Sequence, residues 1–410
     1  MLTIAKFGGS SLAEGSCFRN VRKIVQADPA RKGIVVSAPG KRFAGDDKIT
    51  DLLYRCFDRR KSGGDWHSPW RKIADRFLEI RDTLGVLPKL EQDLLDTEIK
   101  LASAAVSREE LASRGEHYSA RLLAAALGRK FVDSTAWLRF TADGRVDTVR
   151  SYGLLHCLAG EPFVTPGFYG ARPDGSICTF PRGGSDITGA LAAAALEAGL
   201  YENWTDVPGV LMADPAIYAE AKPTPFMTYG ELAELSAVGT QVLHEDAVEP
   251  VRRQGIPLRI CSAAEPQAEG TWIAPAIEGE PVRRSVVSVT GRRNRVLLSG
   301  VGAVPVQTDC LAEIPGQRMA SLSAAELLEN EEIFNELGAA SLRDGMAMVA
   351  VVFAENAAGG PCAADLLWAL RQAEIPVCSF VKAYGSHTLL LFVQDTDYER
   401  TVRTICRAAE

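Results

Sequence analysis

The chain is short of the features that mark a metal centre, a secreted scaffold or a membrane protein. Its nine cysteines, at positions 17, 56, 157, 178, 261, 310, 362, 378 and 406, form no C-x-x-C pair, and its histidines have no ligand spacing. Neither a metal site nor a disulfide framework is expected, and free thiols in a reducing compartment are. No stretch approaches the roughly 18 consecutive apolar residues of a spanning helix. The first residues pass into Lys6-Phe7-Gly8-Gly9 without the apolar core of a signal peptide, so a cytoplasmic protein with no membrane partner is expected. Positive charge is also scarce: 45 Lys and Arg stand against 52 Asp and Glu, for a net charge of −7, which argues against nucleic acid or an anionic surface as partner. Low-complexity tracts are absent. What is left, 47% hydrophobic and 24% charged over 410 residues, is an ordinary globular composition too long for one core. Two or three domains and a small-molecule partner are expected.

What the chain does have is glycine between strand-like and helix-like runs. Residues 180–215 place Arg182, two glycines, Ser185 and Asp186 ahead of an alanine-rich helix expected over 187–199, with a strand over 201–207 and a Pro-Gly turn after it. A polar glycine loop at a helix start offers N–H groups and a positive dipole end to an anion. Near the N-terminus, a strand over 3–7 runs into KFGGSS at 6–11 and a helix over 16–26, again a phosphate-cradling order. The lysine precedes the glycines, unlike in a Walker loop.

Between these lie further elements. A buried-type strand over 33–37 ends in Ser37-Ala38-Pro39-Gly40, and residues 41–47 read as a charged, mobile loop. A helix capped by Thr50 follows. The pattern stays helical to about residue 114, with breaks expected at 62–64, Pro69 and Pro88. Glu116 reads as the start of another helix running to Gly128, where the dipole alone would favour a glutamate. His117 reads as a surface or supporting residue. Strands over 131–133 and 162–169 complete an α/β sheet whose polar residues fall at strand ends, where such sheets bind ligands.

The motifs KFGGSS (6–11), VVSAPGKRF and KITDLL (within 35–53), GEHYSA (115–120), PGFYG (166–170), FPRGGSDITGAL (180–191), YENWTDVPGVLMADP (201–215) and MTYGELAEL to VRRQGIP (227–257) resemble aspartate kinases of the amino-acid kinase fold. The resemblance implies a roughly eight-stranded, mainly parallel sheet between helical layers over 1–278. It also implies ATP-dependent phosphorylation of L-aspartate to 4-phospho-L-aspartate, at the head of lysine, threonine and methionine synthesis or in a dedicated secondary pathway. By resemblance Lys6 bridges the transferring phosphoryl group and Asp186 holds it, while Gly8, Gly9 and Ser10 receive phosphate oxygens. Arg182 takes the α-carboxylate, Glu116 the α-ammonium, and Ser37, Thr50 and Ser185 complete the aspartate site. Thr205, Asp206, Met212, Asp214 and Pro215 match the nucleotide strand and loop, and Mg2+ is carried mainly by the nucleotide phosphates without dedicated protein ligands.

Two positions leave the family pattern. Ala216 stands where many members have arginine after Asp-Pro, and Gln241 where several have lysine, removing cations from the nucleotide side. After an expected linker at 278–281, strands over 285–290, 295–300, 346–353, 377–381 and 388–393 and helices over 324–337, 363–373 and 396–409 resemble in position a tandem ACT-like regulatory region over 283–410. That resemblance implies a homodimer and an amino-acid effector site for lysine or threonine, although residues 302–317 do not carry the family's motif. The alternatives are a kinase-fold binding or regulatory subunit with little turnover, and a related amino-acid kinase with another acyl acceptor.

Overall fold

The computed structural model describes residues 1–86, 89–181, 183–238, 243, 245–275, 285–299, 311–314, 317–323, 326, 341–355, 360–382 and 386–410. It forms two compact units, residues 1–209 with 243–274 and residues 210–242 with 275–410.

The first unit begins β1 (Thr3–Phe7), α1 (Gly15–Ala27), β2 (Arg31–Val36), α2 (Ile49–Ser62), α3 (His67–Leu84), α4 (Leu90–Ala102) and α5 (Arg108–Leu127). It continues with β3 (Lys130–Phe131), α6 (Thr148–Leu158), β4 (Phe163–Pro166), the hairpin β5 (Tyr169–Ala171) and β6 (Ile177–Thr179), α7 (Gly184–Ala195) and β7 (Leu200–Thr205). After β8 (Phe226–Thr228) and α8 (Tyr229–Ala237) of the second unit, α9 (Glu245–Arg253), β9 (Leu258–Ser262) and β10 (Thr271–Ala274) complete it. Seven of the eight strands of the main sheet lie in this unit, in the order β3-β4-β2-β1-β7-β9-β10. All pair in parallel except β10, which runs against β9. Parallel strands need cover on both faces, and the apolar runs of β1 and β2 are buried accordingly. α1 and α5 pack on one face, and α7, backed by α6 and α9, lies on the other.

Alternation along β7 divides its side chains between the two layers. Tyr201 and Asn203 reach α7, whereas Glu202 and Trp204 turn toward α1. On the α1 side Glu202 receives Arg31 bidentately, Nε at 2.6 Å and Nη2 at 3.0 Å, and the Trp204 indole N–H at 2.9 Å. Arg31 also donates to the Ile24 carbonyl at 2.7 Å. Glu202→Ala would leave the guanidinium buried without its countercharge, a loss of about 3–5 kcal/mol. Denaturant unfolding is expected to show it as a lower midpoint, and an unchanged midpoint would contradict this account.

Several local expectations are corrected. α2 is capped at Lys48, without a side-chain hydrogen bond, and Thr50 sits inside its first turn. Pro69 does not break α3, because in a first turn its missing N–H costs nothing, while the break at 62–64 is present with Gly63 left-handed. Pro88 lies outside the described residues. Residues 41–47 are not a loose loop: Asp46 accepts from the buried Arg76 at 2.8 Å and from Arg42 at 2.9 Å. Gly115 starts no helix but lies within α5, where a Cβ would come 2.6 Å from the Ala38 methyl. Glycine there lets α5 press against the loop after β2. The strand expected over 162–169 divides into β4 and β5, parted by Phe168 at a φ of 75°.

The second unit holds an antiparallel sheet, β12-β13-β11-β14-β16-β15. Its elements are β11 (Val286–Ser299), β12 (Leu311–Ile314), β13 (Gln317–Ser323), β14 (Ser341–Phe353), α10 (Ala363–Gln372), β15 (Val377–Val381), β16 (Thr388–Gln394) and α11 (Tyr398–Ala409). The two strands expected over 285–300 are one long strand, β11, whose pairing with β14 shifts between Arg292 and Arg295. α10 and α11 pack on the sheet with Met212 and Tyr218, and Val238, beside α8, joins a separate cluster with Leu297, Met346, Met348, Ala350 and Phe392. This antiparallel sheet fits ACT-like units. The linker at 278–281 and the helix expected over 324–337, except Glu326, lie outside the described residues, as do most of residues 302–317. No helix among the described residues is long and apolar enough to cross a membrane.

Candidate active site

Parallel register brings the carboxyl ends of four strands together. Phe7 pairs with Val36 and with Trp204, and Val36 with Pro166. Gly8, Ser37, Gly167 and Asp206 therefore leave the sheet at one edge. Two glycine loops lock there: the Gly9 carbonyl accepts the Gly40 N–H at 2.8 Å, and a Cβ on Gly40 would fall 2.7 Å from the Gly9 carbonyl carbon. Only glycine fits that approach. The Gly8 N–H donates to the Trp204 carbonyl at 3.0 Å, so, contrary to the expectation from the sequence, it is not free for a phosphate oxygen. Gly8 instead leaves room, since its Cβ would stand 3.4 Å from Lys6 Nζ. The amides of Gly9 and Ser10 find no acceptor among the described residues.

Lys6 is buried, and its ammonium lies 2.6 Å from Asp186 Oδ1. α7 begins at Gly184, earlier than its alanines suggest, with Gly183 left-handed at its cap. Ser185 and Asp186 thus sit in its first turn rather than in a loop ahead of it. A Cβ on Gly167 would fall 2.7 Å from Ser185, so the loop after β4 rests on this turn. Phe168, whose φ is costly for a bulky residue, is held by its N–H to Thr188 Oγ1 at 3.1 Å and its carbonyl from the Phe180 N–H at 2.9 Å.

Glu116 lies in the middle of α5, only 4% exposed, and its Oε2 has no hydrogen-bond partner among the described residues. Burial pushes its carboxyl up to about 8, against a hydrogen bond from the Ala38 backbone. Placement in mid-helix removes the dipole explanation for this glutamate. Ser37 and Thr50 are half-buried. His117 is half-buried too, with Nδ1 2.9 Å from Asp133 Oδ2 and 3.2 Å from the Tyr169 hydroxyl. Burial lowers the imidazole's pKa, and although burial works the other way on Asp133, the His117 hydrogen bond holds that carboxyl well below the usual range. His117 is a supporting group of this edge.

At the end of β7 the Thr205 hydroxyl donates to Asp206 at 3.0 Å, and Asp206 is exposed. Arg182 and Gln241 lie outside the described residues. Met212, Asp214 and Pro215 belong to the second unit. Met212 is buried in its core, and its carbonyl accepts the Val289 N–H at 2.6 Å. Asp214 Oδ1 accepts the N–H of the exposed Ala216 at 2.9 Å. No cluster of three or more His, Cys, Asp or Glu poised for a metal occurs among the described residues.

The sequence reading missed Asn203. It is buried, sits opposite Lys6 in the strand register, lies 3.3 Å from Lys6 Nζ through Oδ1, and donates from Nδ2 to Asp186 Oδ1 at 2.7 Å. The available signal was an amide in a buried strand, two residues after a tyrosine on the same face.

A doubly covered parallel sheet with an anion-receiving edge and a lysine–carboxylate pair is the architecture of a phosphoryl-transfer family. The family model for the amino acid kinase family matches residues 1–262, and the chain belongs to that family. Aspartokinase 3 of Bacillus subtilis is 37% identical over 287 residues, 66% of this chain and 63% of that protein, so the chain spans somewhat under two thirds of that relative's length. The aspartate kinase of Clostridium acetobutylicum is 30% identical, with a TM-score of 0.88 and coverage of 100% of both chains. Aspartokinase III of Escherichia coli, solved with aspartate and ADP, shares the fold at 24% identity and a TM-score of 0.74, over 100% of this chain and 99% of that one.

Proposed function

We propose that this protein transfers the γ-phosphoryl group of ATP to the β-carboxylate of L-aspartate, giving 4-phospho-L-aspartate and ADP. The observation that carries the reading is the buried Lys6 ammonium on Asp186 at the same sheet edge as Glu116, a buried carboxyl with one oxygen unpartnered among the described residues. The full-length likeness to the Clostridium acetobutylicum aspartate kinase supports aspartate as acceptor.

The acceptor carboxylate is ionised at neutral pH, so no general base is needed, and the difficulty is bringing two anions together. One carboxylate oxygen attacks phosphorus as the bond to the ADP oxygen breaks, and Lys6 neutralises charge on the transferring group. The Gly9 and Ser10 amides, without an acceptor among the described residues, would donate to phosphate oxygens, while Gly8 keeps the approach to Lys6 Nζ open. Glu116 would take the substrate ammonium, Arg182 its α-carboxylate in a bidentate pair, and Ser37, Thr50 and Ser185 the β-carboxylate. Thr205 and Asp206 would meet the nucleotide. A magnesium ion carried on the nucleotide phosphates would supply charge neutralisation there.

Residues 1–278 would form the catalytic domain and 283–410 an ACT-like region that pairs two copies and receives lysine or threonine. A cytoplasmic setting would suit the scattered cysteines, which form no C-x-x-C pair. The Lys6, Asp186 and Asn203 cluster is fully assembled, which favours turnover over a binding-only role. The test is ADP release with hydroxylamine trapping, using aspartate, glutamate and N-acetylglutamate in parallel. Aspartyl hydroxamate is expected, and its absence at saturating ATP would refute the proposal. Lysine and threonine added to the same assay read the effector response.

A further inference from the structure

We propose that Asn203 is a positioning residue for phosphoryl transfer, its side-chain amide fixing the directions in which the Lys6 ammonium and the Asp186 carboxylate point. The inference rests on the reading of Lys6 and Asp186 as catalytic groups. Asn203 is only 2% exposed in the interior of β7. An apolar residue would fill that place at no cost, whereas a buried amide is unfavourable unless both its ends are bonded. Both are: Oδ1 lies 3.3 Å from Lys6 Nζ, and Nδ2 donates to Asp186 Oδ1 at 2.7 Å. Only one orientation of the amide serves these partners, because ammonium only donates and carboxylate only accepts.

This arrangement constrains both partners. An ammonium has three N–H bonds. One is directed to Asp186 and one to Asn203, and the third has no acceptor among the described residues. With two directions set, the third is set, and Gly8 leaves Nζ uncovered by a Cβ. On the carboxylate, Oδ1 takes both Lys6 and Asn203, so the group cannot rotate without breaking two bonds, and Oδ2 keeps no partner among the described residues. The same strand grips the helix a second time, through the Tyr201 hydroxyl on the Asp186 carbonyl at 3.0 Å. Tyr201 and Asn203 share one face of β7, so main chain and side chain of Asp186 are held by a single rigid strand.

The test compares Asn203→Leu, Asn203→Asp and Lys6→Ala with the wild type as full-length protein, measuring kcat, both KM values and thermal midpoints. Asn203→Leu preserves volume and is expected to lower kcat about 10²-fold, as small misplacements of reacting groups do. Both KM values should stay within about threefold, since substrate binding is made elsewhere. Asn203→Asp sets two carboxylates around one ammonium, so one of them keeps its proton to a higher pH. A protonated Asp at 203 donates as the amide does, so the activity of this variant relative to wild type should rise as pH falls. Unimpaired kcat in Asn203→Leu, or, if that variant fails to fold, a pH-independent activity ratio for Asn203→Asp, would overturn the positioning role. Turnover by Lys6→Ala would overturn the catalytic reading and this inference with it. An inactive Lys6→Ala beside an unimpaired Asn203→Leu would overturn this inference alone.

Discussion

Lys6→Ala and Asp186→Ala are each expected to lower kcat by about 10³- to 10⁵-fold, the range for a single cation supplied to a phosphoryl-transfer transition state. Lys6 acts directly, because two anions approach one another and its buried ammonium offsets their charge. Asp186 acts through it. Without that carboxylate the ammonium keeps, among the described residues, only the Asn203 amide oxygen as a partner, and a buried cation with no countercharge turns away from its position. The two residues work as one device, so their losses should not add. The double variant is expected to be no slower than Lys6→Ala alone. Steady-state ADP release with hydroxamate trapping measures all three, and near-wild-type kcat in Asp186→Ala would refute the assigned role. Folding should survive, because Asp186 lies near the surface of the edge and β1 keeps its pairing on both sides.

Much of this edge was legible in the sequence because glycine and charge at strand ends carry a strong local signal. β1 spans residues 3–7, as its pattern suggested, and the alanine-rich α7 was plain from composition. The missing parts depend on partners far away in the chain. The start of α7 was misplaced because what terminates its loop is the left-handed Gly183 and the close packing of Gly167 on Ser185, neither visible in helix propensity. Residues 41–47 looked loose because their charge suggested solvent, while their anchor, Arg76, stands on another helix. Pro69 looked like a breaker because its place in a first turn depends on where α3 begins. The second unit's use of residues 210–242 followed from contacts no local pattern encodes, and it takes Met212 into a core where the sequence placed a nucleotide loop. Asn203 was hidden for the same reason, since a polar residue in a strand acquires meaning only when register sets it opposite Lys6.

Glu116→Gln is expected to separate stability from function. The carboxyl of Glu116 is pushed from an ordinary value of 4.5 up to about 8 by burial. Below the ordinary value both folded and unfolded chains hold this proton, and the group does not affect stability. As pH rises from there to about 8, the unfolded chain loses the proton while the folded chain keeps it, so the wild type loses stability progressively, and above about 8 the full cost remains. Glutamine does not titrate. The ligand-free variant should therefore melt higher than wild type, with a gap that widens from pH 5 to pH 8 in calorimetric scans. Binding should move the other way. A substrate ammonium needs a carboxylate opposite it, and losing a charge-assisted hydrogen bond costs about 1.5–3 kcal/mol, or about 10- to 150-fold in the aspartate KM. In the wild type that KM should fall as pH rises toward 8 and Glu116 gives up its proton, while in the variant it should stay flat over the same range. The KM for ATP should be unaffected in both. A variant that melts lower at pH 8, or a wild-type aspartate KM indifferent to pH between 6 and 8, would contradict the assignment of Glu116 as the ammonium site.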